Sequence, residues 1–368
     1  MMGYDLIVIG GGLVGGAIAW GAARLGASVA LLDQGDVAFR AARANFGLVW
    51  VQSKGAGMPP YAHWSRRSAE LWPQLASAMA EGTGIDVGLQ QTGGLTFCLG
   101  DEEYEQRENF VRRMHNESGN IGTRMISRAE VRAMVPHIGD EVTGAAFCPI
   151  DGHANPLYLL RALQQSLQAL GGAYFPGRTV DAIAPALHDF SVHSGTEVFT
   201  CKKLVIAAGL GSYTLAPMVG LGVPVKPERG QIVITERMKP FLNYATHKLR
   251  QTVEGTVMLG DSVEDAGFDT SVRVPVLQNI VQRQVRTFPG LRDATIVRTW
   301  AGLRVMSPDG FPIYDQSEKF PGAFAATCHS GVTLAGGHAL ELAPAIMQGV
   351  LPDKFSPFSA RRFHVPTH

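Results

Sequence analysis

Residues 4–9, YDLIVI, form a mostly apolar run that stops at Gly10, a pattern that predicts a short strand buried on both faces. Beyond the glycines, Ile18, Ala22 and Leu25 fall at i, i+4 and i+7, the stripe of an amphipathic helix, with Gly26 as its C-terminal stop. Residues 28–33, SVALLD, read as a second strand parallel to the first. Strand, glycine turn, helix and strand make a βαβ unit, whose crossover is right-handed. Downstream, Ser127 and Glu130 have capping-box spacing before a short helix that Pro136 ends. Asn155 and Pro156 open a longer helix with Leu160, Leu163, Leu167 and Leu170 on one face and Gly171 and Gly172 closing it. Residues 203–209, KLVIAAG, predict another buried strand, whereas residues 231–235, 256–260 and 296–300 read as strands of a separate, more antiparallel sheet. No repeat or low-complexity linker divides the two patterns, so the second body is expected to be threaded through the first.

Composition narrows the function classes. In a chain of 368 residues, 46% are hydrophobic and only 17% charged, which favours a large buried core over disorder. Lys and Arg number 32 and Asp and Glu 32, so no basic excess is available to neutralise nucleic-acid phosphates, and no nucleic-acid partner is expected. The 43 glycines lack a collagen period and point to many tight turns or close ligand approaches. Cys98, Cys148, Cys201 and Cys328 are far apart with no CxxC pair, so four reduced thiols and no metal site are expected. Asp5, Arg24 and the glycines interrupt the apolar N-terminal stretch, and a cytoplasmic location is the expectation.

The chemistry is concentrated in GGGLVG. Gly10, Gly12 and Gly15 complete a GxGxxG between a strand and a helix, where missing side chains let a pyrophosphate sit against the helix N-terminus, with Gly11, Leu13 and Val14 around it. Asp33, ending the second strand beside Gln34, is placed to accept hydrogen bonds from an adenosine ribose. Nicotinamide and flavin dinucleotides share this opening. A glycine-ended LVIAAG strand and the small-residue turn CHSGVTLAGG before another helix favour FAD, because that helix start aims its dipole at the electron-rich edge of a flavin. No second GxGxxG stands in strand–helix context, which disfavours an additional NAD domain.

With these segments in order, the chain resembles the D-amino acid oxidase, glycine oxidase and sarcosine oxidase family of FAD-dependent amine oxidoreductases. The carriers are VIGGGLVGGAIAW, RANFG, DGHANP, LVIAAGLGS, PERGQIVIT, WAGLRVMSPDGFPIYD and CHSGVTLA. Within that group, RANFGLVWVQSKG and RTWAGLRVMSPDGFPIYD are most similar to beta subunits of D-hydroxyproline dehydrogenases and opine oxidases. The resemblance implies an α/β fold with a Rossmann-type, glutathione reductase-like FAD-binding domain from residues 1–85, 144–222 and 304–368. An interleaved antiparallel-sheet α+β substrate domain comes from 86–143 and 223–303. It places Arg43, Asn45, Phe46 and Gly47 beside the flavin, Val180 on the adenine, Ala208 and Gly209 over the dinucleotide, and Ser330, Gly331, Val332 and Thr333 at the C-terminal flavin contact. Arg304, in GLR, is matched to the arginine that forks onto the substrate carboxylate. His329, Tyr244, His247 and Arg250 are further candidates to face substrate or flavin. The stretch LRVMSPDG lacks the cysteine that tethers FAD in some sarcosine oxidases, so the cofactor is expected to be noncovalent, and Cys328 to be a core residue.

The implied reaction is hydride transfer from the α-carbon of a small D-amino acid, such as D-hydroxyproline or D-proline, to flavin, giving an imine. The alternatives are an opine, sarcosine or glycine oxidase, or a noncatalytic flavin-binding subunit. An electron-accepting partner subunit or carrier, in a hetero-oligomer, is expected from the same resemblance.

Overall fold

The computed structural model describes residues 2–35, 41–186 and 189–363. At its centre the strand Met2–Ile9 lies between Val29–Asp33 on one side and Glu197–Ile206 on the other, all parallel. Ala173–Pro176 extends the sheet beyond Val29–Asp33, and Ala323–Thr327 followed by antiparallel Ile313–Gln316 extends it the other way. Leu6, Ile7 and Val8 are wholly buried, as continuous apolar runs in a sheet covered on both faces must be. A hairpin extension, Phe190–Ser194 with Ala182–Pro185, hangs from Glu197–Ile206.

Helix Leu13–Ala23 packs on one face of this sheet against helix Pro156–Ala169 and the helical run from Ala335 to Gln348. The approach is close enough that a Cβ on Gly21 would stand 2.2 Å from the Ala339 carbonyl oxygen, so only glycine fits there. Trp20 Nε1 donates to Ser166 Oγ at 2.8 Å and ties the first two helices together. Asn155 caps Pro156–Ala169 through bonds from the Leu157 and Tyr158 amides, and Ser127 with Glu130 forms a reciprocal capping box on Arg128–Met134. Two expected core positions are corrected. Leu25 is 57% exposed and Leu170 47%, because each lies just past the last turn of its helix, where the stripe has rotated away from the sheet.

The second body consists of two four-stranded sheets. One runs Leu249–Gln251, Thr256–Leu259, Lys226–Arg237, Ile296–Met306, antiparallel throughout. The other runs Ala245–Thr246, Gly94–Leu99, Val142–Cys148, Arg124–Ser127. Leu95, Ile126, Val142, Val233, Leu249 and Val257 share one core with Ile280 of helix Val274–Thr287. Burying each such aliphatic side chain contributes about 1.5–3 kcal/mol. Residues 144 and 304, the expected boundaries, fall inside strands Val142–Cys148 and Ile296–Met306 of this second body.

Candidate functional site

The glycine turn is fixed from three sides. Gly10 has φ +111°, and a Cβ there would meet the Ala207 oxygen at 2.3 Å; at Gly15 it would meet the Gly10 oxygen at 1.9 Å. Asp33, at the end of its strand, accepts from the Gly11 amide at 2.6 Å and the Gly35 amide at 2.9 Å. The acid expected to meet a ribose therefore also clamps the turn. Gly12 differs from its neighbours: a Cβ there would touch no protein atom within 4 Å. It faces a cavity of about 530 Å³ whose wall also contains Gly10, Leu13, Val14, Asp33 and Gln34. Val180, Ala208, Gly209 and Gly331, which the family resemblance sets beside the dinucleotide, line the same cavity. Gly11 and Gly15 are not in its wall; their work is to shape the turn.

A second cavity, about 340 Å³, adjoins the first, and Ala41, Asn45 and His329 belong to the walls of both. Its charged and titratable residues are Lys54, His247, Asp261, Arg304 and His329. Phe46, Ser330, Val332 and Thr333 complete the expected members. Thr333 Oγ1 is occupied bracing the chain opposite, accepting from the Trp50 amide and donating to the Leu48 carbonyl, both at 3.1 Å.

Lys54 was not anticipated. Its Nζ donates to Ser330 Oγ at 2.8 Å and lies 3.3 Å from His329 Nε2, and no carboxylate among the described residues pairs with it. Burial, with Arg304 acting in the same direction, lowers its pKa to about 8. His329 is held well below the usual histidine range by burial and by the Lys54 and Arg304 charges, so its ring is neutral and accepts from Lys54. Lys54 owes its position to a turn held from a distance. Asp151 accepts from the Val51 amide at 2.5 Å and from Gln52 Nε2 at 2.8 Å, and burial raises the Asp151 pKa to about 7. Ser53, between Gln52 and Lys54, has φ +73° and is the one non-glycine residue with positive φ among the described residues. That conformation costs about 1–2 kcal/mol and is the kind of strain that collects at working sites.

Arg304 reaches the second cavity already paired. Nη1 donates to the Ser262 carbonyl at 2.8 Å and to Glu228 Oε1 at 3.3 Å, and Nη2 to Asp261 Oδ1 at 3.1 Å. Other expectations need correction. Arg250 is not on a loop but in strand Leu249–Gln251, buried, with Nη1 3.4 Å from His153 Nδ1; it lines neither cavity, and burial lowers its pKa to about 10. Tyr244 packs edge-on against Phe147 in the substrate-side core, and Arg43 is exposed; neither lines either of these two cavities. Gly47, at φ +87°, is confined by the Ala154 oxygen 2.5 Å from its would-be Cβ, and is a turn residue rather than a wall. His247 does line the second cavity, stacked on Trp50 with burial pulling its pKa down to about 4.

The chain matches known proteins along almost its whole length. A family model described as FAD dependent oxidoreductase, DAO, matches residues 5–345. The chain belongs to the DAO family of FAD-dependent oxidoreductases. An opine oxidase subunit from Rhizobium meliloti is 43% identical, covering 99% of this chain and 98% of that protein. Hydrogen cyanide synthase subunit HcnC of Pseudomonas aeruginosa is 28% identical, covering 98% and 96%. The crystal structure of glycine oxidase from Geobacillus kaustophilus superposes with a TM-score of 0.91 at 24% identity, covering both chains completely. Within this DAO-family chain the residues fit FAD. Gly12 leaves the wall open where a pyrophosphate needs close backbone approach, and the first cavity leads from Val180 and Asp33 to Asn45 and His329. Cys328 lines that cavity as a half-buried thiol whose desolvation pushes its pKa up to about 12, a form unsuited to a thiolate's covalent attachment.

Proposed function

We propose that this flavoenzyme oxidises a secondary α-amino acid of the opine type, in which the amino-acid nitrogen carries a second carboxyalkyl arm. The observation that carries the reading is the junction at Asn45 and His329. There the dinucleotide cavity opens into a polar cavity holding Lys54, a cation with no acid partner among the described residues. The 43% identity to an opine oxidase subunit supports the choice among amines. FAD bound noncovalently in the first cavity supplies the acceptor for the hydride on the carbon next to the substrate nitrogen. Lys54 holds the substrate carboxylate, with Arg304 behind it. His329 and Ser330 orient the Lys54 ammonium, and Asp151 fixes the turn that carries it. The C–H bond is thereby aimed at the junction, and orientation supplies most of the catalysis. As the C=N bond forms, the nitrogen gives up its proton, and water then splits the imine into an amine and an oxo acid.

We further propose that the chain works as one subunit of a hetero-oligomer and passes electrons to a partner or carrier, as the subunit names of its relatives suggest. The test is an anaerobic panel of octopine, N-(1-carboxyethyl)glutamate, sarcosine, glycine, cis-4-hydroxy-D-proline and D-proline. Bleaching of the flavin by opines first supports the reading. Preferential bleaching by the D-proline compounds would replace it with the D-imino acid reading, and no bleaching by any amine would leave a noncatalytic flavin subunit.

A further inference from the structure

Beyond the second cavity lies a third, about 600 Å³ in volume, and Ser53 and His247 belong to both walls. Arg107, Lys248 and Arg283 stand in its wall against one carboxylate, Glu103. Arg283 already cancels that carboxylate through a bidentate pair, Nη1 at 2.8 Å and Nη2 at 2.7 Å. Two positive charges are left facing the space. Arg107 lies over the Phe110 ring, its guanidinium carbon 5.4 Å from the centroid, and its Nη1 donates to Ser53 Oγ at 3.0 Å. Among the described residues, no carboxylate lies within ion-pair distance of Arg107 or Lys248. An arginine stacked on an aromatic ring and bonded to one neutral hydroxyl keeps most of its fork free for an anion.

The placement of that charge matters more than its amount. Ser53, whose hydroxyl Arg107 holds from helix Asp101–Ser118, directly precedes Lys54, so one short turn links the cation of the inner chamber to the cation of the outer one. A substrate with one carboxylate beside its nitrogen and a further carboxylate at the end of a longer arm matches such a pair of chambers. A compact amine such as proline or sarcosine would occupy only the inner one.

We propose that the outer chamber binds an anionic arm on the substrate nitrogen, with Arg107 and Lys248 as its carboxylate site, and so selects acidic opines over those with a cationic arm. This rests on the secondary-amine reading above. Two measurements on the FAD-loaded protein separate the two ideas. The first compares kcat/KM for N-(1-carboxyethyl)glutamate with that for octopine, whose arm ends in a guanidinium. Wild-type protein favours the glutamate compound, and Arg107→Glu shifts the ratio at least about tenfold toward octopine, with Arg107→Gln intermediate. Equal effects on both compounds would make Arg107 a structural residue and overturn the proposal. The second is calorimetric titration with glutarate, which cannot be oxidised at nitrogen. Binding at least about tenfold weaker in Arg107→Gln supports the anion site, even if no amine bleaches the flavin and the oxidation reading falls. Glutarate binding unchanged by the substitution overturns the site, whatever the enzyme turns over.

Discussion

The cavity beside the glycine turn is walled mostly by glycines and apolar side chains, while the cavity beyond Asn45 and His329 carries Lys54, His247, Asp261 and Arg304. On the first side, close approach is the constraint: a missing Cβ at Gly12, a clamped amide at Gly11 and a strand end at Gly10 admit a phosphate-bearing cofactor. On the second side, charge placement is the constraint, and the two cations there are deployed differently. Arg304 is braced by Asp261, Glu228 and the Ser262 carbonyl, whereas Lys54 is braced by neutral groups alone. A cation that has spent its charge on protein acids is part of the frame. One that has not is available to a ligand.

The largest effect that could break this comparison is at Gly12. Gly12→Leu fills the open wall and should remove essentially all bound FAD while leaving the circular dichroism spectrum of the apoprotein unchanged. A yellow Gly12→Leu protein would mean that the first cavity is not the cofactor site. Next in size is the contrast between the two cations. Lys54→Met should raise KM at least about tenfold with a smaller change in kcat, because it removes a charge-assisted contact to the carboxylate. Arg304→Met should instead cost about 1–3 kcal/mol of stability by stripping donors from two carboxylates and a carbonyl. Steady-state kinetics and denaturant unfolding on both variants would show whether the roles are reversed.

The pH dependence sharpens the same point. With its pKa near 8, Lys54 is charged below that value and loses its proton above it, so substrate KM should rise as pH passes about 8. Lys54→Arg keeps the charge, and its KM should stay flat over that range. A wild-type KM that falls with rising pH would assign Lys54 to proton removal instead. A separate effect, on stability alone, concerns Asp151. Its native pKa is raised to about 7 from 3.8, so the folded protein holds the proton more tightly than the unfolded chain. This contribution to stability is greatest below 3.8 and declines as pH rises to about 7. Asp151→Asn should remove that slope in denaturant midpoints measured between about pH 4 and 7.

The same contrast explains what the sequence disclosed. The glycine turn, the parallel strands and the caps at Ser127 and Asn155 are local patterns, each written within a dozen or so residues, and all appear in the fold. Lys54 lies within the segment RANFGLVWVQSKG, yet no local pattern singles it out; its place depends on Asp151, 100 residues from Val51, and on His329 and Ser330 at the far end of the chain. Arg250 departs from the expected loop for the opposite reason. Its flanking turn looked like a loop, but pairing with Thr256–Leu259 made it a strand and drew its side chain to His153. Family resemblance supplied Arg304, and no pattern around it showed that Glu228 sits directly across the strand pair in register.

The central claim is that cofactor and substrate meet at Asn45 and His329. A crystal structure of the FAD-loaded protein with a non-oxidisable carboxylate inhibitor tests it most directly. The account predicts the flavin ring between the two cavities and the inhibitor carboxylate within hydrogen-bond distance of Lys54 Nζ. A flavin ring placed away from Asn45 and His329, or a carboxylate bound without Lys54, would contradict it.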